Sequence, residues 1–157
     1  MRKRLVTPTP HDCVPFESGA LDVANLALVE ITSEDQGYPI EFALQLEDRR
    51  GWRAAEPGAQ TIRLLFDEPQ KLGRIRLVFE ETEIQRTQEF VLTWSPDHGQ
   101  SFREIVRQQW NFSPPATVRE TEDYTVDLRD VTILELRIVP DQSGGSARAS
   151  LTSLRLA

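Results

Sequence analysis

The chain has 157 residues, 39% of them hydrophobic and 27% charged, which suits one folded domain and argues against both a second domain and a disordered polar chain. Eighteen Lys plus Arg against 25 Asp plus Glu leave a formal charge of −7, so attraction to phosphate backbones or anionic lipid is disfavoured and neither nucleic acid nor membrane is an expected partner. Two histidines and one cysteine (His11, His98 and Cys13) are too few for an ordinary zinc site or an internal disulfide, and no metal or cofactor is expected.

The opening Met1-Arg2-Lys3-Arg4 is basic like a signal peptide, but only Leu5 and Val6 follow before the prolines begin, too short for an apolar h-region. Nothing approaches the roughly 18 consecutive apolar residues of a membrane span. The expectation is a cytoplasmic protein. Residues 1–20, with Pro8, Pro10 and Pro15, carry no periodic pattern and read as a terminal arm before a single domain over 21–157.

From there the hydrophobic period is two. The run Leu26–Thr32 is apolar on both parities and predicts a central strand. Ile62, Leu64 and Phe66 alternate with Thr61, Arg63 and Leu65, and Ile75, Leu77 and Phe79 with Arg74, Arg76 and Val78; both segments read as half-buried strands. The alternation returns at Phe90–Trp94, Tyr124–Leu128, Leu134–Ile138 and Leu154–Leu156. Turn residues separate the runs: Asp67-Glu68-Pro69, Ser95-Pro96-Asp97-His98-Gly99, Ser113-Pro114-Pro115 and the stretch 140–145. Ser101 to Glu104 has capping-box spacing and would open a helix. A strand over Phe102–Val106 is preferred, because a tight turn follows a strand directly there and a hairpin partner is the shorter explanation. Strands recurring at about 10–15 residues predict an antiparallel sandwich.

Catalytic motifs are missing. There is no GxSxG, HExxH, CxxC or glycine-rich phosphate loop. Glu80-Glu81-Thr82-Glu83 would offer paired carboxylates, yet adjacent acids at a strand end are ordinarily a solvated loop. His11-Asp12-Cys13 cannot all reach one ion from adjacent positions. Two stretches invite a binding role. In Arg107–Pro115 the indole of Trp110, the ring of Phe112 and the amide of Asn111 stand together near a stiff turn, a combination suited to stacking on sugars, although the same rings could cap the core. Gln85-Arg86-Thr87-Gln88 reads as a polar loop before the Phe90 strand.

The order Gly51-Trp52, Gln60-Thr61-Ile62-Arg63-Leu64-Leu65-Phe66, Pro69, Ile75-Arg76-Leu77, then Ser95-Pro96-Asp97-His98-Gly99, closing with Leu134–Ile138 and Ala149–Leu156, resembles the discoidin or coagulation-factor type C family over roughly residues 26–157. That resemblance implies a galactose-binding-like, jelly-roll β-sandwich of about eight strands whose loops at one end hold a ligand without catalysis. It implies that Arg86 occupies a position comparable to a sugar-gripping Arg, that Thr87-Gln88-Glu89 stands where Asn-Gly is common, and that Trp52 belongs to the core. It also implies that Asp48 stands where an acidic calcium ligand is common, while Thr152-Ser153 replaces the second acid. Relatives bind carbohydrate, lipid or protein. Two functions therefore stand side by side. One is a carbohydrate-binding module whose ligand is held by Arg86, Gln88, Trp110, Asn111 and Phe112; the other is an intracellular protein-interaction module using the same loops. An enzyme resting on Glu80–Glu83 is a distant third.

Overall fold

A computed structural model describes residues 19–45 and 50–157. Two single helical turns, α1 (Val23–Leu26) and α2 (Glu41–Leu44), flank the first strand β1 (Ala27–Ile31). The rest is β2 (Trp52–Pro57), β3 (Gln60–Glu80), β4 (Arg86–Ser95), β5 (Arg103–Phe112), β6 (Arg119–Val139), β7 (Arg148–Leu151) and β8 (Ser153–Leu156). All pairing between these strands is antiparallel.

The sandwich is made by two strands that change layers. The first half of β3 pairs with β1 on one side and with the end of β6 on the other, and β4 and β5 extend that layer. The second half of β3 pairs with the start of β6 and with β8 in the opposite layer. Phe79 and Phe90 stack across the interior with ring centroids 5.2 Å apart. Between the two halves of β3 the register shifts repeatedly from Leu65 to Arg74, and the buried parity changes from Ile62, Leu64 and Phe66 to Ile75, Leu77 and Phe79. That change is what bulges produce. Asp67-Glu68-Pro69 is therefore not a turn between strands. Pro69, which lacks a ladder donor, is accommodated in the irregular corner of one continuous strand. The segments Tyr124–Leu128 and Leu134–Ile138 likewise belong to one strand, bent near Asp130, whose φ is 59°.

The antiparallel jelly-roll sandwich expected from the sequence matches the architecture, with its strands divided differently. The strand at Phe102–Val106 lies in β5, as the hairpin argument expects. Leu26–Thr32, expected as a central strand, is instead an edge: β1 pairs with β3 alone and leaves Leu28 64% exposed. The hydrophobic pattern does not announce β2, since Trp52-Arg53-Ala54-Ala55-Glu56-Pro57 offers few large apolar residues; Trp52 and Ala54 nevertheless alternate inward. Trp52 is buried and donates its indole N–H to the Ser33 carbonyl at 3.0 Å, consistent with the core role the resemblance implies. No helix among the described residues is long and apolar enough to cross a membrane. Cys13, His11, Asp48 and most of the expected arm lie outside the described residues.

Candidate functional site

The residues expected to bind ligand come from two adjacent strands. Arg86 and Gln88 are not on a loop: they open β4, where Arg86 pairs with Phe112 and Gln88 with Trp110 on β5. Paired residues share a face, and here that face is the interior. Arg86 is 3% exposed and Gln88 and Phe112 are fully buried, whereas Asn111 points outward and is exposed. Trp110 is half-buried against the core.

A polar strand start is tolerated inside because most of its groups are satisfied, Arg86 Nη2 and Glu120 Oε2 being the buried atoms of this cluster that find no hydrogen-bond partner among the described residues. Arg86 Nε donates to Glu81 Oε1 at 2.7 Å, and Nη1 donates to Gln88 Oε1 at 3.1 Å and to the Pro140 carbonyl at 2.8 Å. Its guanidinium carbon lies 4.7 Å from the centroid of the Phe112 ring, a cation–π contact that covers the ring. Gln88 Nε2 reaches across the sandwich to Glu120 Oε1 at 3.1 Å. Glu120 is fully buried. Burial, then the neighbouring Glu122 carboxyl, pushes its pKa up to about 8. Burial, followed by the charge of Glu122, also raises the Tyr124 phenol, which donates to Glu122 Oε2 at 3.4 Å.

Glu80, Thr82 and Glu83 are exposed, as a solvated loop requires, and Glu81 alone departs from that reading by turning partly inward. Burial alone would raise its carboxyl, but the Arg86 guanidinium and the Glu83 and Ile84 N–H groups together hold it below the usual carboxylate range. Glu81 Oε2 accepts from the backbone of Glu83 at 3.1 Å and of Ile84 at 3.5 Å. The carboxylate thus folds the loop 81–84 around itself, and Arg86 ties that loop to the core.

Two clefts flank this segment at one end of the sandwich. One, of about 410 Å³, is lined by Gln85, Arg86, Thr87, Asn111, Asp141 and Ser143 among others, and Thr87 Oγ1 donates to Asn111 Oδ1 at 2.8 Å inside it. It brings together Arg86, Asn111 and Phe112. Trp110 opens instead onto a depression with Gln109, Asn111 and Thr117, and Gln88 is buried in the core. The second cleft, of about 380 Å³, lies on the other side of the loop. One wall is Glu80–Ile84; the other is the outer face of the β2–β7 pair, with Arg53, Arg148 and Ser150, and Tyr38 stands at its side. Arg53 packs its guanidinium 4.6 Å from the Tyr38 ring centroid.

No local sequence pattern marks this second cleft, because Tyr38, Arg53 and Arg148 come from three distant segments. Gly51 positions the wall. Its φ is +74°, and a Cβ there would meet the Leu151 carbonyl oxygen at 2.6 Å and Thr152 Cα at 2.8 Å, so only glycine lets β2 start this close to β7. Among the described residues, no cluster of three or more His, Cys, Asp or Glu side chains is placed to hold a metal ion.

Most of the chain superposes on solved structures. A family 32 carbohydrate-binding module of Clostridium perfringens NanJ, in complex with galactose, matches with TM-score 0.61 at 14% identity, covering 87% of this chain and 96% of that one. The fold is that of family 32 carbohydrate-binding modules. The Clostridium perfringens module CpGH89CBM32-5, in complex with GalNAc-β-1,3-galactose, matches with TM-score 0.61 at 19% identity over 88% of this chain and 99% of that one. The family 32 module of AlyQ, in complex with 4,5-unsaturated mannuronic acid, does so with TM-score 0.61 at 13% identity over 84% and 95%. No family profile and no curated protein matches the chain. At these identities the carbohydrate-binding-module likeness is one of fold.

Proposed function

We propose that this protein is a non-catalytic carbohydrate-binding module whose ligand lies in the cleft between the 80–84 loop and the β2–β7 pair. The observation that carries this reading is the cleft's lining. Tyr38, the three arginines Arg50, Arg53 and Arg148, and hydroxyl residues such as Thr82 and Ser150 line a space of about 380 Å³, the mixture of ring surface and hydrogen-bonding groups that a saccharide uses. The solved modules of the same fold, with galactose, GalNAc-β-1,3-galactose and a mannuronic acid bound, support the ligand class.

In this reading Arg86 is a positioning residue. Its Nε and Nη1 are engaged by Glu81, Gln88 and the Pro140 carbonyl, Nη2 has no hydrogen-bond partner among the described residues, and it acts by holding the loop that forms one wall. Asn111 and Thr87 line the neighbouring cleft, where a longer chain would continue. The test is a glycan array followed by titration calorimetry on the best binders. A saccharide should bind, and Tyr38→Ala should weaken it about tenfold. Absence of binding to every glycan class on the array overturns the proposal.

A further inference from the structure

We infer that the saccharide bound in this cleft is acidic, carrying a carboxylate as a uronate does; the inference rests on the proposed carbohydrate-binding function and specifies its ligand. The two walls of the cleft differ in how their charges are compensated. On the loop wall two of the three acids already have cations of their own: Glu81 is paired with the buried Arg86 at 2.7 Å, and Glu80 with Arg119 at 3.3 Å. On the strand wall Arg53 and Arg148 are compensated less closely. Arg53 rests on Tyr38 and makes no ion pair among the described residues, and Arg148 makes a long ion pair, 3.8 Å, with the partly exposed Asp35. With Glu80 and Glu81 already neutralised, Arg53 without an ion pair and Arg148 in a long one leave this wall positive in a chain of net charge −7.

Their placement suits one anionic group. Arg53 lies opposite Ser150 in the β2–β7 ladder and Arg148 is two residues from Ser150, across a register shift on β2 between Arg53 and Pro57, and both cations line the same cleft. A guanidinium presents a planar fork that matches a carboxylate, and a charge-assisted pair is about twice as strong as a neutral hydrogen bond. A neutral sugar would desolvate both cations without offsetting their charge. Glu83 is the opposing feature. It is exposed at the lip of the cleft, makes no ion pair among the described residues and repels an anion, so it sets how tightly the acidic sugar is held.

The test is calorimetric titration of the full chain with an oligogalacturonate, its methyl ester, an alginate oligosaccharide, a sulphated galactan fragment and a neutral galacto-oligosaccharide, each at low and high salt. The expected result is that the uronates bind about tenfold more tightly than the ester and the neutral sugar, with the difference shrinking in salt. Arg53→Gln and Arg148→Gln should each collapse the ratio of acid to ester affinity, Arg53→Lys should restore part of it, and Glu83→Gln should raise the acid affinity. Both arginines are exposed, and a thermal melt of each variant checks that the fold is intact. Equal affinity for acid, ester and neutral sugar overturns the acidic-ligand inference and leaves the carbohydrate-binding function standing. Preference for the sulphated fragment over both uronates overturns the carboxylate assignment. No binding to any of the five overturns both readings.

Discussion

Arg86 and Glu81, five positions apart in the chain, meet through Nε and Oε1 at 2.7 Å, with the Arg86 side chain 1% and the Glu81 side chain 17% exposed. This pair joins the interior of the sandwich to the loop that walls the proposed cleft. Glu81 takes up the N–H groups of Glu83 and Ile84, while the other side of the guanidinium holds Gln88 and the Pro140 carbonyl. Loop conformation is thereby coupled to the core.

Arg86→Ala is expected to cost about 3–5 kcal/mol, because it leaves Glu81 charged and partly buried without its cation and strips Gln88 and the Pro140 carbonyl of their donor. Denaturant unfolding measures the loss. A cycle with Glu81→Gln should return a coupling of at least about 1 kcal/mol, and additive effects would show that the pair is incidental. Saccharide affinity should fall in Arg86→Ala at a temperature where the variant is still folded, since the loop loses its anchor.

The buried Glu120 carboxyl predicts an unusual pH dependence. Its pKa rises from 4.5 to about 8 in the folded state, so between those values the folded chain keeps a proton that the unfolded chain has released. Stability must then fall as pH rises through that window, by at most about 1.4 kcal/mol per pH unit for one group, and level off above it. Glu81 acts with the opposite sign and at lower pH: its depressed pKa contributes stability that is lost as acid protonates it. Unfolding free energies across this range should therefore slope downward in the native chain and flatten in Glu120→Gln, which keeps the shape and an acceptor for Gln88 without the titrating proton. An unchanged slope in the variant would remove Glu120 as the cause.

Much of this fold is legible in the sequence because one face of most strands is dry. Leu134, Leu136 and Ile138 announce their strand by alternation, and their burial follows the pattern. Polar interior residues escape the same logic. Arg86 and Gln88 read as a loop because their side chains favour water, and they are inside only because Glu81, Glu120 and the Pro140 carbonyl receive them, partners that lie 5, 32 and 54 positions away. Pro69 signals a turn, yet what it marks is a bulged corner within β3. The proposed cleft is invisible for a topological reason: Arg53 and Arg148 are brought onto one face by the β2–β7 pairing, and β2 itself has too weak a pattern to be recognised. The alternation of Trp52 and Ala54 with Arg53 is the one local signal available.

Gly51→Ala tests the geometry of that wall. The new methyl would have to displace backbone atoms of Leu151 and Thr152 at 2.6 and 2.8 Å, and the φ of +74° is itself unfavourable for alanine. A loss above about 2 kcal/mol is expected, or a midpoint lower by about 4–8 °C for a domain of this length. Gly58 supplies the control. It has φ +90°, and a methyl group on its Cα would meet no atom within 4 Å, so Gly58→Ala should cost only the conformational strain of about 1–2 kcal/mol.

Phe112 and Asn111 are neighbours on β5 that face opposite ways, and their variants separate a core ring from a ligand platform. Phe112 is fully buried with Arg86 packed over it, so Phe112→Ala should open a cavity and cost about 3–5 kcal/mol. Asn111 is exposed and its side chain accepts a hydrogen bond from Thr87, so Asn111→Ala should change stability by less than about 0.5 kcal/mol. Binding distinguishes the roles further. Phe112→Leu keeps an apolar interior and should retain saccharide affinity once the fraction folded is accounted for, because the ring offers no face to solvent. A loss of affinity in folded Phe112→Leu with an unchanged Arg86–Glu81 coupling energy would instead make the ring part of the binding surface, and would move the ligand from the β2–β7 wall to the cleft beside Asn111.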